Sequence, residues 1–519
     1  MQLHLTNPLF WLIATPLIAS PLIYLIGRIG QMRQVRFLQA SPRWLAFLIL
    51  VVDWVFLIAL ISRVIRSGPV SDQVESILMQ VDGLSLLLAT VVLGLGSLVA
   101  LFSGAYMSGE IGEEKYYAML VAMIGVMLGL GCAGDLFNLW VWFEAMAVSS
   151  YLLVMFYREQ PASLEAGVKY VVQSATGSVL ILLGIALVLA KTGTMRLDQI
   201  FTAVQPSPAI LAAGALFIVG FGVKTALVPM HTWLPDAHTQ APSGISAMLS
   251  GVVIEAGLVA MLRSLGALSG AWQASSTPGA TWSGLFIALG ALNMLVGNLM
   301  ALRQKQVKRI LAYSSLSHIG YILFGIGVAL YSGQLVGAQG GMFHLLNHGL
   351  MKGLAFLAAG ALLYGINHFA TQSETQVDSQ HATLTVADLD GAAQRYPWVA
   401  LTLSLALLGL GGLPPLAGFM SKWQIFVAGF ATHNFWIAAL VIFAALNSVL
   451  SLGYYAPLVN AVYRKQPSPG VQHGAPIPLS MSVPLAILAL AIILLGFWPG
   501  LIQWLTAPAG SALLAAFGS

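Results

Sequence analysis

The sequence is 519 residues long, 58% hydrophobic and only 8% charged, with a formal charge of +4. Soluble domains carry roughly 25% charged residues, so a soluble chain is excluded, and no basic stripe points to nucleic acid. The single cysteine, Cys132, excludes a disulfide framework or a cysteine-ligated cluster within the chain, so any redox chemistry belongs to partner subunits.

A hydrocarbon core about 30 Å thick needs roughly 20 apolar residues per helix, and lipid offers no partner to open backbone, so the long apolar runs read as helices. The reading is an all-α polytopic membrane protein with 14 spans, near 8–27, 44–62, 84–107, 116–133, 135–156, 168–190, 209–229, 242–264, 283–302, 309–331, 337–364, 397–420, 434–461 and 479–505. The first run lacks a basic stretch before it, which argues against a cleavable signal. Arg28, Arg33, Arg36 and Arg43 follow span 1, Arg303, Lys305, Lys308 and Arg309 follow span 9, and Arg464 and Lys465 follow span 13. All fall on one side, which the positive-inside rule makes cytoplasmic, so both termini are expected outside; the acidic loop 110–115 on that side counts little.

The chain divides into three N-terminal spans (1–115), a first block of five (116–264), a second block of five (283–461) and a last helix (479–505). The polar segment 365–396 is too short for a domain and reads as a cytoplasmic connector, leaving one membrane domain over 1–519. An odd number of helices per block puts spans 4–8 and 9–13 in opposite orientations, the pattern of inverted repeats. Gly220, Gly222 and Pro229 around Lys224, and Gly411, Gly412, Pro414 and Pro415 before Lys422, point to broken helices 7 and 12.

Ionisable groups inside spans are costly and are functional hypotheses by default. They are Asp53, Glu144, Lys224, Glu255, His344, His348, Lys352 and Lys422. Each has a plainer reading. Asp53 serves equally as a packing carboxylate, and Lys422, near a span end, as a lysine reaching the headgroups. His344, His348 and Lys352 recur at i, i+4 and i+8, so they share one helix face. Two histidines at that spacing also suit zinc, although no carboxylate or cysteine motif completes such a site. A lysine withdrawn from water, a nearby carboxylate and an imidazole exchange protons readily, so together they make a proton relay. Glycine-rich pieces such as GLGLG lie within apolar helices and read as close packing, not phosphate loops.

Five motifs in order, DLFNLWVWFE, K-x6-HTWLPDAH-x3-P, KRILAYSSLSHIGY, FHLLNHGLMKGLAFL and GLPPLAGFMSKW, carry a resemblance. The chain resembles the proton-conducting antiporter-like subunits shared by respiratory complex I (NADH-quinone oxidoreductase), energy-converting hydrogenases and Mrp-type cation/proton antiporters. The resemblance implies a 14-helix subunit with two inverted five-helix repeats, broken helices 7 and 12, and buried charges along the middle of the membrane. It makes Glu144 and Lys224 a gating ion pair, matches His344, His348 and Lys352 to the helix 11 pattern and Lys422 to the helix 12 exit residue, and places His318 near the central axis.

Two positions depart from the family pattern. Helix 8 usually carries a lysine where this chain has Glu255, and helix 6 of the largest complex I subunits carries an aspartate near Ser178. Glu255 can still take up and release a proton, but its partner must differ. Length leaves no room for the lateral helix of the largest complex I subunit, and is comparable to that of medium-sized members in all three branches.

The expected function is proton translocation in a prokaryotic cytoplasmic membrane within a multi-subunit redox-driven complex. Glu144 and Lys224 would form the uptake gate, Glu255, His318, His344 and His348 the axis, and Lys352 and Lys422 the exit. No cofactor is expected in this chain; iron-sulfur clusters and a quinone or hydrogenase centre are expected in partner subunits, with further membrane subunits and a peripheral redox arm. A sodium/proton exchanger without redox coupling and a non-pumping spacer are the other readings.

Overall fold

The computed structural model describes residues 7–74, 77–272, 280–370 and 383–518. Its elements in chain order are α1 (Pro8–Met32), α2 (Arg36–Ser67), a hairpin of β1 (Val70–Val74) and β2 (Ile77–Val81), α3 (Gly83–Tyr106), α4 (Glu113–Gly131), α5 (Leu136–Val154), α6 (Pro161–Thr192), α7 (Leu197–Ala203), α8 (Pro208–Lys224), α9 (Leu234–Gln240) and α10 (Ser243–Met248). A π-helical turn, Leu249–Val253, runs from α10 into α11 (Ile254–Ser269). Then come α12 (Ala280–Ala301), α13 (Val307–Ser332), α14 (Leu335–Ala370), α15 (Ala392–Arg395), α16 (Pro397–Gly411), α17 (Ala417–Phe430), α18 (Phe435–Val462), α19 (Pro469–His473), α20 (Leu479–Phe497) and α21 (Gln503–Ala516). Among the described residues, 12 helices are long and apolar enough to cross a membrane; α8 and α16 are shorter apolar helices.

Local chemistry sets the helix ends. Asp82, Asp135, Ser207 and Asn434 each accept a backbone N–H of the turn they start, at α3, α5, α8 and α18. Gly193 and Gly333 close α6 and α13 with φ of 72° and 65°, a left-handed turn that glycine takes without strain.

The expected breaks in spans 7 and 12 are present, because prolines remove N–H donors there and side chains take over the freed backbone groups. After α8, the Leu227 N–H returns to the Gly222 carbonyl, the Asn293 side chain accepts the Val228 N–H at 2.9 Å, and the Trp233 indole donates to the Val223 carbonyl at 2.7 Å. After α16, Lys422 donates to the Leu410 carbonyl, Ser448 to that of Gly411 and Asn347 to that of Ala417.

Burial separates an inner from an outer set. The most apolar windows of Ser243–Trp272 and α13 are 100% and 94% buried, whereas those of α2 and α18 are 28% and 33%. Between α12 and α13 the backbones nearly touch: a Cβ on Gly290 would stand 2.7 Å from the Gly320 carbonyl oxygen, so only glycine fits. The inner set, Ser243–Trp272 and α13, carries the buried Glu255 and His318.

Residues from one end, the loop before α4, the turn between α5 and α6, the C-terminus of α9, Lys308, Tyr364 and Leu384, line a single cavity of about 1650 Å³. The acidic loop belongs to this end and is partly paired locally: Arg43 forms an ion pair with Glu113 at 3.1 Å, and the neutral Gln31 amide donates to Glu114. At the other end Arg263 clasps both oxygens of Asp82 at 2.9 and 3.1 Å and also reaches Ser85 and the Gly131 carbonyl.

Three features were not expected. The polar linker after α2 forms a hairpin that bonds across to Cys132 and Gly134. Span 14 stops at Phe497, and the chain then folds back as α21, where Gly83 and Gly510 allow contact with α3 and α14. Of the connector 365–396, residues 371–382 lie outside the described set, while Thr385 pairs with Gln306 and Ala387–Leu389 forms a short 3₁₀ turn.

Candidate functional site

Lys224, the last residue of α8, is wholly buried. The C-terminal end of a helix favours a cation, because its unpaired carbonyls carry partial negative charge. Its ammonium donates to the Tyr170 hydroxyl at 2.7 Å and the Ser150 hydroxyl at 3.3 Å, and it lies 4.4 Å from the centre of the Tyr170 ring. The expected ion pair with Glu144 is absent from this arrangement: among the described residues Lys224 bonds hydroxyls and no carboxylate. Glu144 is half-buried on α5, beside the outward-facing Val141 and Val148, and its Oε1 is buried without a hydrogen bond. On α5, Ser150 and Phe143 look toward Lys224, while Glu144 shares the outer stripe.

The second group is continuous. Glu255 lies just beyond the π-helical turn and accepts from, or donates to, His348 Nδ1 at 2.8 Å, both side chains being fully buried. This identifies the partner of the residue that departs from the family pattern. The His348 ring stacks on His318 with centroids 5.4 Å apart, and His318 Nδ1 meets His344 Nε2 at 3.1 Å. His344 Nδ1 then bonds Ser421 at 2.9 Å, and Ser421 precedes Lys422 on α17. Lys422 donates to the Leu410 carbonyl at 2.9 Å and to Ser448 at 2.8 Å, with its ammonium 4.5 Å from the centre of the Tyr321 ring. It is therefore an interior lysine and not one reaching the headgroups. Lys352, one turn beyond His348, donates to the Leu311 carbonyl at 2.8 Å and to Ser314. His344 and His348 serve different partners, so the i, i+4 spacing does not bring them to one common ligand.

The structure thus joins Glu255, His348, His318, His344 and Ser421, and Lys422 meets this row through the Tyr321 ring, which packs edge-on to His344 with centroids 5.8 Å apart, while Lys224 and Glu144 stand apart from it. Asp53 is wholly buried in α2 with both carboxyl oxygens unbonded, away from the row. Ser178 accepts from the Trp140 indole at 2.9 Å.

Several residues were not singled out from sequence. Tyr170, Ser150 and Ser421 are neutral groups in long helices, and only their contacts mark them. His238 lies within the quoted HTWLPDAH motif; it is fully buried, stacks on Phe356 with centroids 5.0 Å apart, and keeps both ring nitrogens unbonded. It is followed by Thr239, Gln240 and Ala241, which line the large cavity, and Lys308 donates to the Ala241 carbonyl at 2.8 Å.

Comparison with known proteins agrees with this architecture. The profile of the family described as "NADH:quinone oxidoreductase/Mrp antiporter, TM" matches residues 133–448, and that of "NADH-Ubiquinone oxidoreductase (complex I), chain 5 N-terminus" matches residues 72–117. NADH-quinone oxidoreductase subunit N 2 of Roseiflexus castenholzii is 32% identical over 442 residues, 83% of this chain and 84% of that one. F(420)H(2) dehydrogenase subunit N of Methanosarcina mazei is 32% identical over 431 residues, covering 81% and 82%. Among solved structures, a chain of the archaeal membrane-bound sulfane sulfur reductase superposes with a TM-score of 0.83 at 28% identity, covering 98% of this chain and 99% of that chain. A chain of the Mrp complex from Dietzia sp. shares the fold, with a TM-score of 0.83 at 23% identity over the full length of both. The chain belongs to the NADH:quinone oxidoreductase/Mrp antiporter family of multi-pass membrane subunits.

Proposed function

We propose that this chain translocates protons across a prokaryotic cytoplasmic membrane as one subunit of a redox-driven complex. The observation that carries the reading is the buried row of Glu255, His348, His318, His344 and Ser421, in which neighbouring groups are bonded or stacked, with Lys422 over the Tyr321 ring that meets His344 edge-on. Imidazoles accept a proton on one nitrogen and release it from the other, so such a row moves charge without moving a heavy atom far. A row this costly to bury in an apolar chain has no structural purpose that Leu or Phe would not serve better.

In this reading Lys224 and Glu144 form the uptake gate, Glu255, His348, His318 and His344 the axis, and Lys352 and Lys422 the exit. The cavity at the end rich in Arg and Lys is the uptake vestibule, with that end cytoplasmic and both termini outside. The two five-helix blocks are inverted repeats. This is supported by matched bridges: Asp135 pairs with Arg196 between the first and third loops of the first block, and Gln306 pairs with Thr385 at the corresponding loops of the second. Matched helix breaks at spans 7 and 12 support it too.

Electrons would pass from NADH, from F(420)H(2) as in the name of the Methanosarcina relative, or from a similar donor to quinone or protons. Iron-sulfur clusters and the quinone or hydrogenase centre would lie in partner subunits and a peripheral arm, since a one-cysteine chain cannot ligate a cluster. The outward stripe of α5 around Glu144 would face a neighbouring membrane subunit.

The test is to purify the intact complex in mild detergent, identify its subunits by mass spectrometry, and follow pH changes in vesicles with and without donor. Iron-sulfur partners and donor-dependent acidification are expected. Sodium-dependent pH changes without any donor would replace this reading with an exchanger, and pumping unaffected by loss of Lys224 would make the chain a spacer.

A further inference from the structure

Trp233, in the middle of HTWLPDAH, is wholly buried and plays no part in the row described above. Its ring lies parallel to that of Tyr170, with centroids 3.9 Å apart and an interplanar angle of 2°. Its indole N–H is tied to the Val223 carbonyl at 2.7 Å, one residue before Lys224. Tyr170 is thus clamped on one face by Trp233, and its hydroxyl bonds both the Lys224 ammonium at 2.7 Å and Ser150 at 2.9 Å. Three helices meet at this point: α6 brings Tyr170, α5 brings Ser150, and the α8–α9 break brings Lys224 and Trp233.

We propose that Tyr170 and Ser150 form a resting seat for the Lys224 ammonium, and that Trp233 couples occupancy of this seat to the position of half-helix α9. The inference rests on the proton-translocation reading and adds a positioning residue to it. The physical reason lies in what the seat offers: two neutral hydroxyls and the negative face of an aromatic ring hold a cation without giving it a carboxylate. Glu144 does not bond Lys224; it follows Phe143, which faces the lysine, and lies round on the outer stripe of α5. Among the described residues no other charged side chain bonds Lys224 from α5, α6 or α11, and Gly257 of α11 leaves just enough room, since a Cβ there would stand 3.1 Å from Lys224 Cβ. Movement of the lysine toward Glu144 therefore means leaving the seat. Trp233 leads directly into α9, whose far end lines the cavity, so displacing α9 loosens the stack and frees the lysine. A closed gate is the state with the seat filled.

The test uses the whole complex in liposomes carrying a pH-sensitive dye, with a potassium diffusion potential imposed by valinomycin and no electron donor. Tyr170→Phe keeps the stack and ring face but removes the hydroxyl. It is expected to raise the passive proton leak about tenfold, as befits loss of a hydrogen bond to a charged group. The rise should vanish in the Lys224→Ala background, because an absent lysine cannot be unseated. A purely structural tyrosine would be fully replaced by phenylalanine, so a leak and a donor-driven transport equal to wild type would overturn the proposal. So would a leak that persists in the Lys224→Ala background. If Tyr170→Phe fails to assemble, Ser150→Ala removes the second acceptor and leaves the stack intact; a rise of a few fold supports the seat, and no rise overturns it. Lys224→Ala alone separates the two levels: transport unaffected by it would remove the translocation reading itself, not only the seat.

Discussion

The two lysines beside the helix breaks are held by similar parts used differently. Each ammonium lies over a tyrosine, at 4.4 Å for Lys224 on Tyr170 and 4.5 Å for Lys422 on Tyr321, and each bonds a serine hydroxyl. In the first block the tyrosine hydroxyl itself takes the lysine, and among the described residues no imidazole bonds it. In the second, the Tyr321 hydroxyl is spent on the Ala444 carbonyl, and three histidines lead away from the lysine toward Glu255. One block therefore isolates its cation and the other connects it. Gating needs a group that can be separated from its neighbours, and conduction needs groups that cannot, so under the proposed translocation the first half suits gating and the second conduction.

That division can be broken most severely at His318. His318→Leu removes the ring that both stacks on His348 and bonds His344, and donor-driven proton transport should fall about a hundredfold, the usual worth of one positioned proton-transfer group. Dye quenching normalised to donor oxidation measures it; transport near wild type would mean the second block does not conduct through its imidazoles. Glu255→Gln is milder. The amide keeps a hydrogen bond to His348 but cannot hold the proton, so transport should fall about tenfold in an assembled complex. Ser421→Ala should cost about threefold, since His344 loses one neutral partner and keeps His318. The smallest effect sharpens the contrast with Tyr170: Tyr321→Phe should leave transport unchanged and lower stability by about 1 kcal/mol, read from thermal unfolding of the purified complex.

Much of this was visible in the sequence, and the parts that were not share a cause. Hydropathy marks spans because lipid imposes one rule on every residue of a crossing helix, and prolines with glycines mark the breaks because they act on their own backbone. The buried charges were equally legible, being expensive wherever they stand. Pairings were not. Glu255 and His348 are 93 residues apart, and nothing local announces that a carboxylate in one helix will meet an imidazole in another. The same holds for Tyr170 and Lys224, 54 residues apart, where the motif pattern implied Glu144 instead. Helix α21 escaped notice because Pro499 and Gly500 follow a long apolar run and its own residues are small and neutral, so composition extended the last span past its end.

The central claim is that both lysine centres serve proton movement in this chain. It is tested most directly by the number of protons translocated per electron in liposomes containing the complex with Lys224→Ala or Lys422→Ala, with electron transfer recorded in the same vesicles. The account predicts that either substitution lowers this ratio while the complex stays assembled. A ratio equal to wild type in either would contradict it.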